Sequence, residues 1–142
     1  MHSFVDSLYP ETNQYVAKRI YLLEVGLREF IIEELSRIGG ARWHKTHLPA
    51  DVSQKYLHGL QAERASNWTS HIEHHPLYYV DFPDLTKVLE KNWRLTFQRL
   101  LKNKDVFIYS LRSLEPIRNK LAHNRKISEA DCKIVDSELG SV

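Results

Sequence analysis

The sequence predicts an all-α bundle, on three observations. Apolar residues recur at three- and four-residue intervals over long stretches. Five glycines and five prolines in 142 residues are too few for the tight turns of an all-β fold. No repeat, low-complexity tract or clear domain boundary interrupts the chain, so residues 1–142 read as one domain of ordinary size.

The elements follow in order. Pro10, with Asp6 or Ser7 before it, suits a helix start. Val16, Ile20, Leu23, Leu27, Phe30, Ile31 and Ile38 then keep helical spacing, and Gly39-Gly40 closes the helix as a C-cap. Gly26 lies on the opposite face with Tyr15 and Leu22, where a second helix could approach closely. Glu34 stands in the apolar stripe, while Glu33 reads as its exposed neighbour. Residues 40–55 read as a linker carrying Arg42, Trp43, His44, Lys45, His47 and Pro49. A second helix runs from Asp51 or Ser53 to about Ala65, with Val52, Tyr56, Leu57 and Leu60 as its apolar side. Residues 66–80 are irregular, with Tyr78-Tyr79-Val80 as a short extended piece. A third helix starts at Asp81 or Phe82, takes Pro83 in its first turn, and carries Leu85, Val88, Leu89, Trp93, Thr96 and Leu100 on one side. After a turn at Lys102-Asn103-Lys104, a fourth begins near Asp105. Pro116 removes a backbone donor inside it and predicts a kink or restart. Ser128 and Asp131 form a capping-box pattern before a last helix over about 129–138.

Composition narrows the function. With 42% hydrophobic and 27% charged residues the chain reads as a soluble globule. A net charge of +2 makes any nucleic-acid footprint local. The single cysteine, Cys132, cannot form an internal disulfide, which favours a reducing, cytoplasmic compartment. No signal peptide and no membrane-spanning run is visible. Asn67-Trp68-Thr69 fits a glycosylation pattern that has no meaning in a cytosolic chain.

The chemistry concentrates between Arg118 and Lys126. Arg118, Lys120, Arg125, Lys126, His123, Asn119 and Asn124 fall there without one acid. Guanidinium, imidazole and amide groups together can hold and act on a phosphodiester. Arg118 lies in the apolar stripe of Phe107, Leu111, Leu114 and Leu121. A charge in core phase is costly unless it is paired, or unless that face is an interface or a site. Two readings stay open. In one, Arg118 pairs with a buried carboxylate, Glu34 being a candidate, and His123 is solvated at a helix end. In the other, the group cleaves RNA without metal: a histidine titrating near about 6.5 exchanges a proton with the 2′-OH or the leaving oxygen. Arg118 then neutralises the phosphorane. Five residues turn an ideal helix by roughly 500°. Arg118 and His123 therefore converge only if the helix ends or distorts, or if two copies meet across a dimer. Asn119 and His123, four apart, share a face.

Other clusters carry less. His44, His47, His58, His71, His74 and His75 have tolerable zinc spacings, but neither cysteine nor a carboxylate set accompanies them, so no metal or other cofactor is expected. In Arg42-Trp43-His44-Lys45 the indole either stacks a splayed RNA base or, as favoured here, plugs the end of the bundle. Arg42 and Lys45 remain candidates for RNA binding. Serine-hydrolase, phosphate-loop and zinc-protease motifs are absent.

Arg118-Asn119-Lys120-Leu121-Ala122-His123 resembles the R-x(4–6)-H motif of the HEPN superfamily, in its RN-x-x-x-H form. Residues 23–31 resemble that superfamily's first long helix. Arg42-Trp43-His44-Lys45 with residues 48–52 resembles the tryptophan-containing connector of one branch, and residues 81–85 through Asn92-Trp93 the start of its third helix. This branch occurs as the C-terminal domain of an RNA-quality-control endonuclease and in many prokaryotic proteins. The resemblance covers most of residues 15–135. It implies a four- to five-helix bundle that homodimerises through the motif helices. It also implies a metal-independent endoribonuclease leaving 2′,3′-cyclic phosphate and 5′-hydroxyl ends. Arg118, Asn119 and His123 would be catalytic, and Lys120, Asn124, Arg125, Lys126, Arg42 and Lys45 would bind RNA. Active relatives serve as toxins or antiviral-defence factors, which suggests an antitoxin or another neighbouring-gene partner. The alternative is a non-catalytic dimerisation or RNA-binding module serving a partner protein.

Overall fold

Pro10 is followed by an unbroken helix, α1 (Glu11–Gly39). The computed structural model describes residues 8–66 and 74–141. Asp6 and Ser7, the sequon at Asn67, and His71 lie outside the described residues. Within them, α2 (His44–His47), α3 (Ala50–Ala65), α4 (Phe82–Lys91), α5 (Gln98–Leu100), α6 (Lys104–Ala122) and α7 (Glu129–Ser141) follow, and no strand is present among them. The architecture is all-α.

The helices sort into two compact units, residues 1–25 with 103–142, and residues 26–102. In the first, the buried apolar side chains are Val16 and Ile20 of α1, Ile108, Leu111, Leu114 and Ile117 of α6, then Ile127 and Val135. They recur at helical spacing, so α1 and α6 each hide one face. Ser128 caps α7 reciprocally, as its spacing requires. Asp131 Oδ2 accepts the Ser128 N–H at 3.1 Å and Ser128 Oγ accepts the Asp131 N–H at 3.0 Å. Pro116 does not restart α6, which runs on for 19 residues. Arg112 and Pro116 are both exposed, so the carbonyl that the proline cannot serve lies on the wet side of the helix.

The second unit buries Leu27, Ile31 and Leu35 of α1, Trp43, Val52, Leu77 and the apolar side of α4. Gly40 ends α1 with φ +76°, a conformation that costs a side-chain-bearing residue most. A Cβ on Gly39 would stand 2.8 Å from Trp43 Cβ and 3.1 Å from the His47 ring, so that glycine leaves room for both side chains. The linker holds a helical turn, α2. Tyr78-Tyr79-Val80 is not an extended piece either. Pro76–Tyr79 form a 3-10 turn, and only Val80 is extended. His75 Nδ1 accepts the Leu77 N–H at 3.2 Å, while Arg28 donates to the carbonyls of Leu77 at 2.9 Å and Val80 at 3.0 Å. Carbonyls held this way are not available to a partner strand. The expected third helix is interrupted: α4 ends at Asn92, and Trp93–Phe97 form a π-helical turn before α5. Asn92 Nδ2 donates to the carbonyls of Val88 and His47, both at 2.9 Å, which fixes the chain at the break. Thr96, on the widened turn, donates to Glu34.

Glu33 is exposed and Glu34 buried, as their phases require. Hydrogen bonds from Arg37 and Thr96 hold the Glu34 carboxyl down at about 2. A Cβ on Gly26 would meet nothing within 4 Å, so no described helix takes the close approach expected there. No described helix is long and apolar enough to cross a membrane.

Candidate functional site

The motif occupies the end of α6, and the way this helix stops decides what the motif presents. His123 is the C-cap residue, with φ −99° and ψ 14°. Asn124 follows in the left-handed region at φ 57°. Its N–H donates to the Leu121 carbonyl at 3.1 Å, and the Arg125 N–H to the Lys120 carbonyl at 2.8 Å. These two bonds are a Schellman closure, in which asparagine takes the place usual for glycine. The chain leaves the helix with His123, Asn124, Arg125 and Lys126 all exposed.

Asn119 is exposed too, one turn before His123 on the same face. The His123 N–H donates to the Asn119 carbonyl at 3.0 Å. The imidazole itself has no described hydrogen-bond partner, and it stands at the C-terminal end of the helix.

Arg118 is in core phase and it is paired. Its Nε donates to Glu24 Oε1 at 3.0 Å, with the side chains 26% and 13% exposed. Glu34 does not play this part, being held by Arg37, Thr96 and Arg99. Lys120 is also engaged: Nζ donates to Asp131 Oδ1 at 3.1 Å and Oδ2 at 2.9 Å. Burial pushes the Asp131 carboxyl up, but the bonds from Lys120 and Ser128 outweigh this and hold it below the usual carboxylate range. The stretch read as free of acids therefore has two of its cations neutralised by carboxylates from elsewhere in the chain.

Asn13 is a further residue that sequence reasoning passed over. It is 4% exposed on α1. Its Nδ2 donates to the Arg125 carbonyl at 2.9 Å and its Oδ1 accepts the Ile127 N–H at 2.8 Å. One amide thus clamps the loop that follows the motif. A signal for both was present: Asn13 and Glu24 fall in phase with Val16, Ile20, Leu27 and Ile31, where an unpartnered polar group would be costly.

Arg42 and Lys45 belong to the other unit and are exposed. Between them Trp43 is 1% exposed and stacks on His75 at 5.2 Å and 22°. It is a core ring and is closed to a splayed base. His44 meets the indole edge-on at 6.3 Å. Burial pushes both imidazoles toward neutrality, His75 down to about 4, with Lys45 and Arg42 also lowering His44. Among the described residues, no three His, Cys, Asp or Glu side chains gather as metal ligands would.

A comparison with curated proteins finds no match, and one with solved structures finds none. A family model described as Swt1-like HEPN does match, over residues 18–136. That span holds α1 from its second turn, the Trp43 connector, the Asp81 helix start and the whole Arg118-to-His123 motif, and the chain belongs to the Swt1-like HEPN family.

Proposed function

We propose that the chain is a metal-independent endoribonuclease whose site is shared between two copies of α6. One observation carries this reading: Asn119 and His123 lie exposed on one helical face, and the imidazole is unbonded at a helix terminus, next in the chain to Asn124, Arg125 and Lys126. Membership of a family whose domains often bind RNA, dimerise and act as ribonucleases supports it.

In the proposed reaction the ribose 2′-oxygen attacks the adjacent phosphorus and the bond to the 5′-oxygen breaks. The 2′-OH proton passes to His123 of one copy. His123 of the second copy, protonated, delivers a proton to the leaving 5′-oxygen. The products are a 2′,3′-cyclic phosphate and a 5′-hydroxyl. Arg118, oriented by Glu24, offsets charge on the phosphorane, and Asn119 positions the phosphate. Arg125, Lys126 and Asn124 hold flanking RNA, with Lys120 as a further contact, while Arg42 and Lys45, in the other unit, bind RNA in their own right. A cytoplasmic toxin or antiviral-defence role, with an antitoxin or neighbouring-gene partner, fits such an activity.

The test is incubation of the purified dimer with end-labelled RNA in EDTA. Cleavage to cyclic-phosphate ends that His123→Ala lowers by about 10²- to 10⁴-fold is expected. Intact RNA from a verified dimer would sink the reading. The ion pairs of Arg118 with Glu24 and Lys120 with Asp131 favour a second reading, a non-catalytic dimerisation or RNA-binding module, because they give both cations a structural use. RNA retention without cleavage, unaffected by His123→Ala, would select it.

A further inference from the structure

The second unit holds a charged cluster that the reaction proposed above does not use. The Glu34 side chain, 11% exposed, lies under two arginines, Arg37 at 53% and Arg99 at 62%. Its Oε1 accepts from Arg37 Nη2 at 2.5 Å and from Arg99 Nη2 at 3.0 Å, and Thr96 donates to the same oxygen. Arg37 Nε donates to Oε2 at 3.4 Å. One carboxylate thus answers two guanidiniums, and the cluster keeps a net positive charge. Arg37 and Thr96 already give the buried carboxylate a counter-charge and a hydroxyl, so burial of Glu34 does not account for Arg99.

The surface around these arginines is firmly placed. Trp93, Thr96 and Phe97 are the buried residues of the π-helical turn, and Phe97 meets Phe30 with ring centroids 5.6 Å apart. The same segment exposes Arg94, Leu95, Gln98, Arg99 and Leu100. Leu95, about one turn before Arg99, is 58% exposed and Leu100, next to it in the chain, 43%. From Lys91 to Lys102 there is no acid. Each guanidinium carries five N–H donors in a fixed fork. Arg37 turns two of its own toward Glu34 and Arg99 one, and the others make no hydrogen bond to a described residue.

Two oriented guanidiniums suit an anion with paired oxygens, a carboxylate or a phosphate. The exposed leucines decide between them. A protein segment can bury Leu95 and Leu100, whereas a sugar-phosphate backbone gains little from aliphatic side chains. We propose that Arg37 and Arg99, with Leu95 and Leu100, form a docking surface for an acidic segment of a partner protein. An aspartate or glutamate of that segment meets the outer N–H groups of both arginines, on the side away from Glu34. Apolar side chains next to it cover the two leucines. The inference stands apart from the reading of His123, since none of these residues belongs to the motif.

The experiment selects peptides from a randomised library on the immobilised full chain, then measures the best of them, synthesised and labelled, by fluorescence anisotropy. The expected selection is enriched in aspartate or glutamate beside leucine, isoleucine or phenylalanine. Arg99→Ala should weaken the peptide about tenfold, Leu95→Asp should abolish binding, and rising salt should weaken it in the wild type. Circular dichroism confirms that each variant is folded. If Arg99→Ala disturbs the fold by loosening Glu34, Leu95→Asp, which touches no part of that ion pair, reads the same surface. Selected peptides without acids, or binding indifferent to both substitutions, would overturn the proposal. So would an acidic peptide rich in serine that binds as tightly as one rich in leucine. Oligouridine bound through Arg99, with no peptide bound, would give the surface to nucleic acid instead.

Discussion

Residues 42–47 and residues 118–126 are built from the same types, with arginine, lysine and histidine around a few other side chains, yet the fold uses them in opposite ways. In the first stretch Trp43 is buried, stacked on His75, and flanked by a His44 ring that meets Tyr56 edge-on. Its Nε1 and the Nδ1 of His44 have no hydrogen-bond partner among the described residues. In the second, the helix ends beneath His123 and turns through a left-handed Asn124, so the imidazole and three residues after it stay in water. Composition marks both stretches as candidates for phosphate chemistry. Packing encloses one indole and two imidazoles, and a helix cap exposes the other histidine.

The largest expected effect is on the enclosed stretch. Trp43→Ala should cost about 4 kcal/mol, because it empties the space that Gly39 and His75 enclose. Urea unfolding reads this directly, and a loss under about 1 kcal/mol would break the contrast.

Acid should come next. The unfolded His75 imidazole takes up its proton near 6.5, whereas burial keeps the folded one neutral down to about 4. The unfolded state therefore binds more protons across that window, and stability falls as pH drops from 6.5 toward 4, by at most about 3 kcal/mol from this group. His44, lowered by burial and by Lys45 and Arg42, acts in the same direction. Urea midpoints measured at intervals from pH 7 to 4 should show the decline, and His75→Leu should flatten it.

Asn13→Ala should cost about 2 kcal/mol by stranding the buried Ile127 N–H. It should also loosen the loop after the motif, which amide exchange at Ile127 would report. Smallest of all, His123→Ala should change stability by less than about 0.5 kcal/mol, since the side chain is exposed and unbonded. A larger loss would mean that His123 belongs to the architecture and would weaken its assignment to chemistry.

Much of the fold was legible because helices announce themselves locally. The period of Val16, Ile20, Leu27 and Ile31, the Gly39-Gly40 stop and the Ser128–Asp131 cap are all settled within a few residues of chain. The π-helical turn after Asn92 was not legible, because it depends on Asn92 reaching His47, 45 residues away. Separations of 49 and 52 residues likewise hid the Arg28 clamp on Leu77 and Val80, and with it the 3-10 turn.

For the candidate site the division is similar. The residue types between Arg118 and Lys126, their spacing and their family likeness are properties of the sequence alone, as is the shared face of Asn119 and His123. Only the tertiary structure decided that Arg118 is tied to Glu24, 94 residues earlier in the chain, and Lys120 to Asp131. It likewise decided that Asn13 holds the loop after the motif and that Trp43 is enclosed. Periodicity fixes which face a side chain takes along its own helix. Which charge or carbonyl arrives opposite that face is a long-range pairing, and it exists only once the chain has folded.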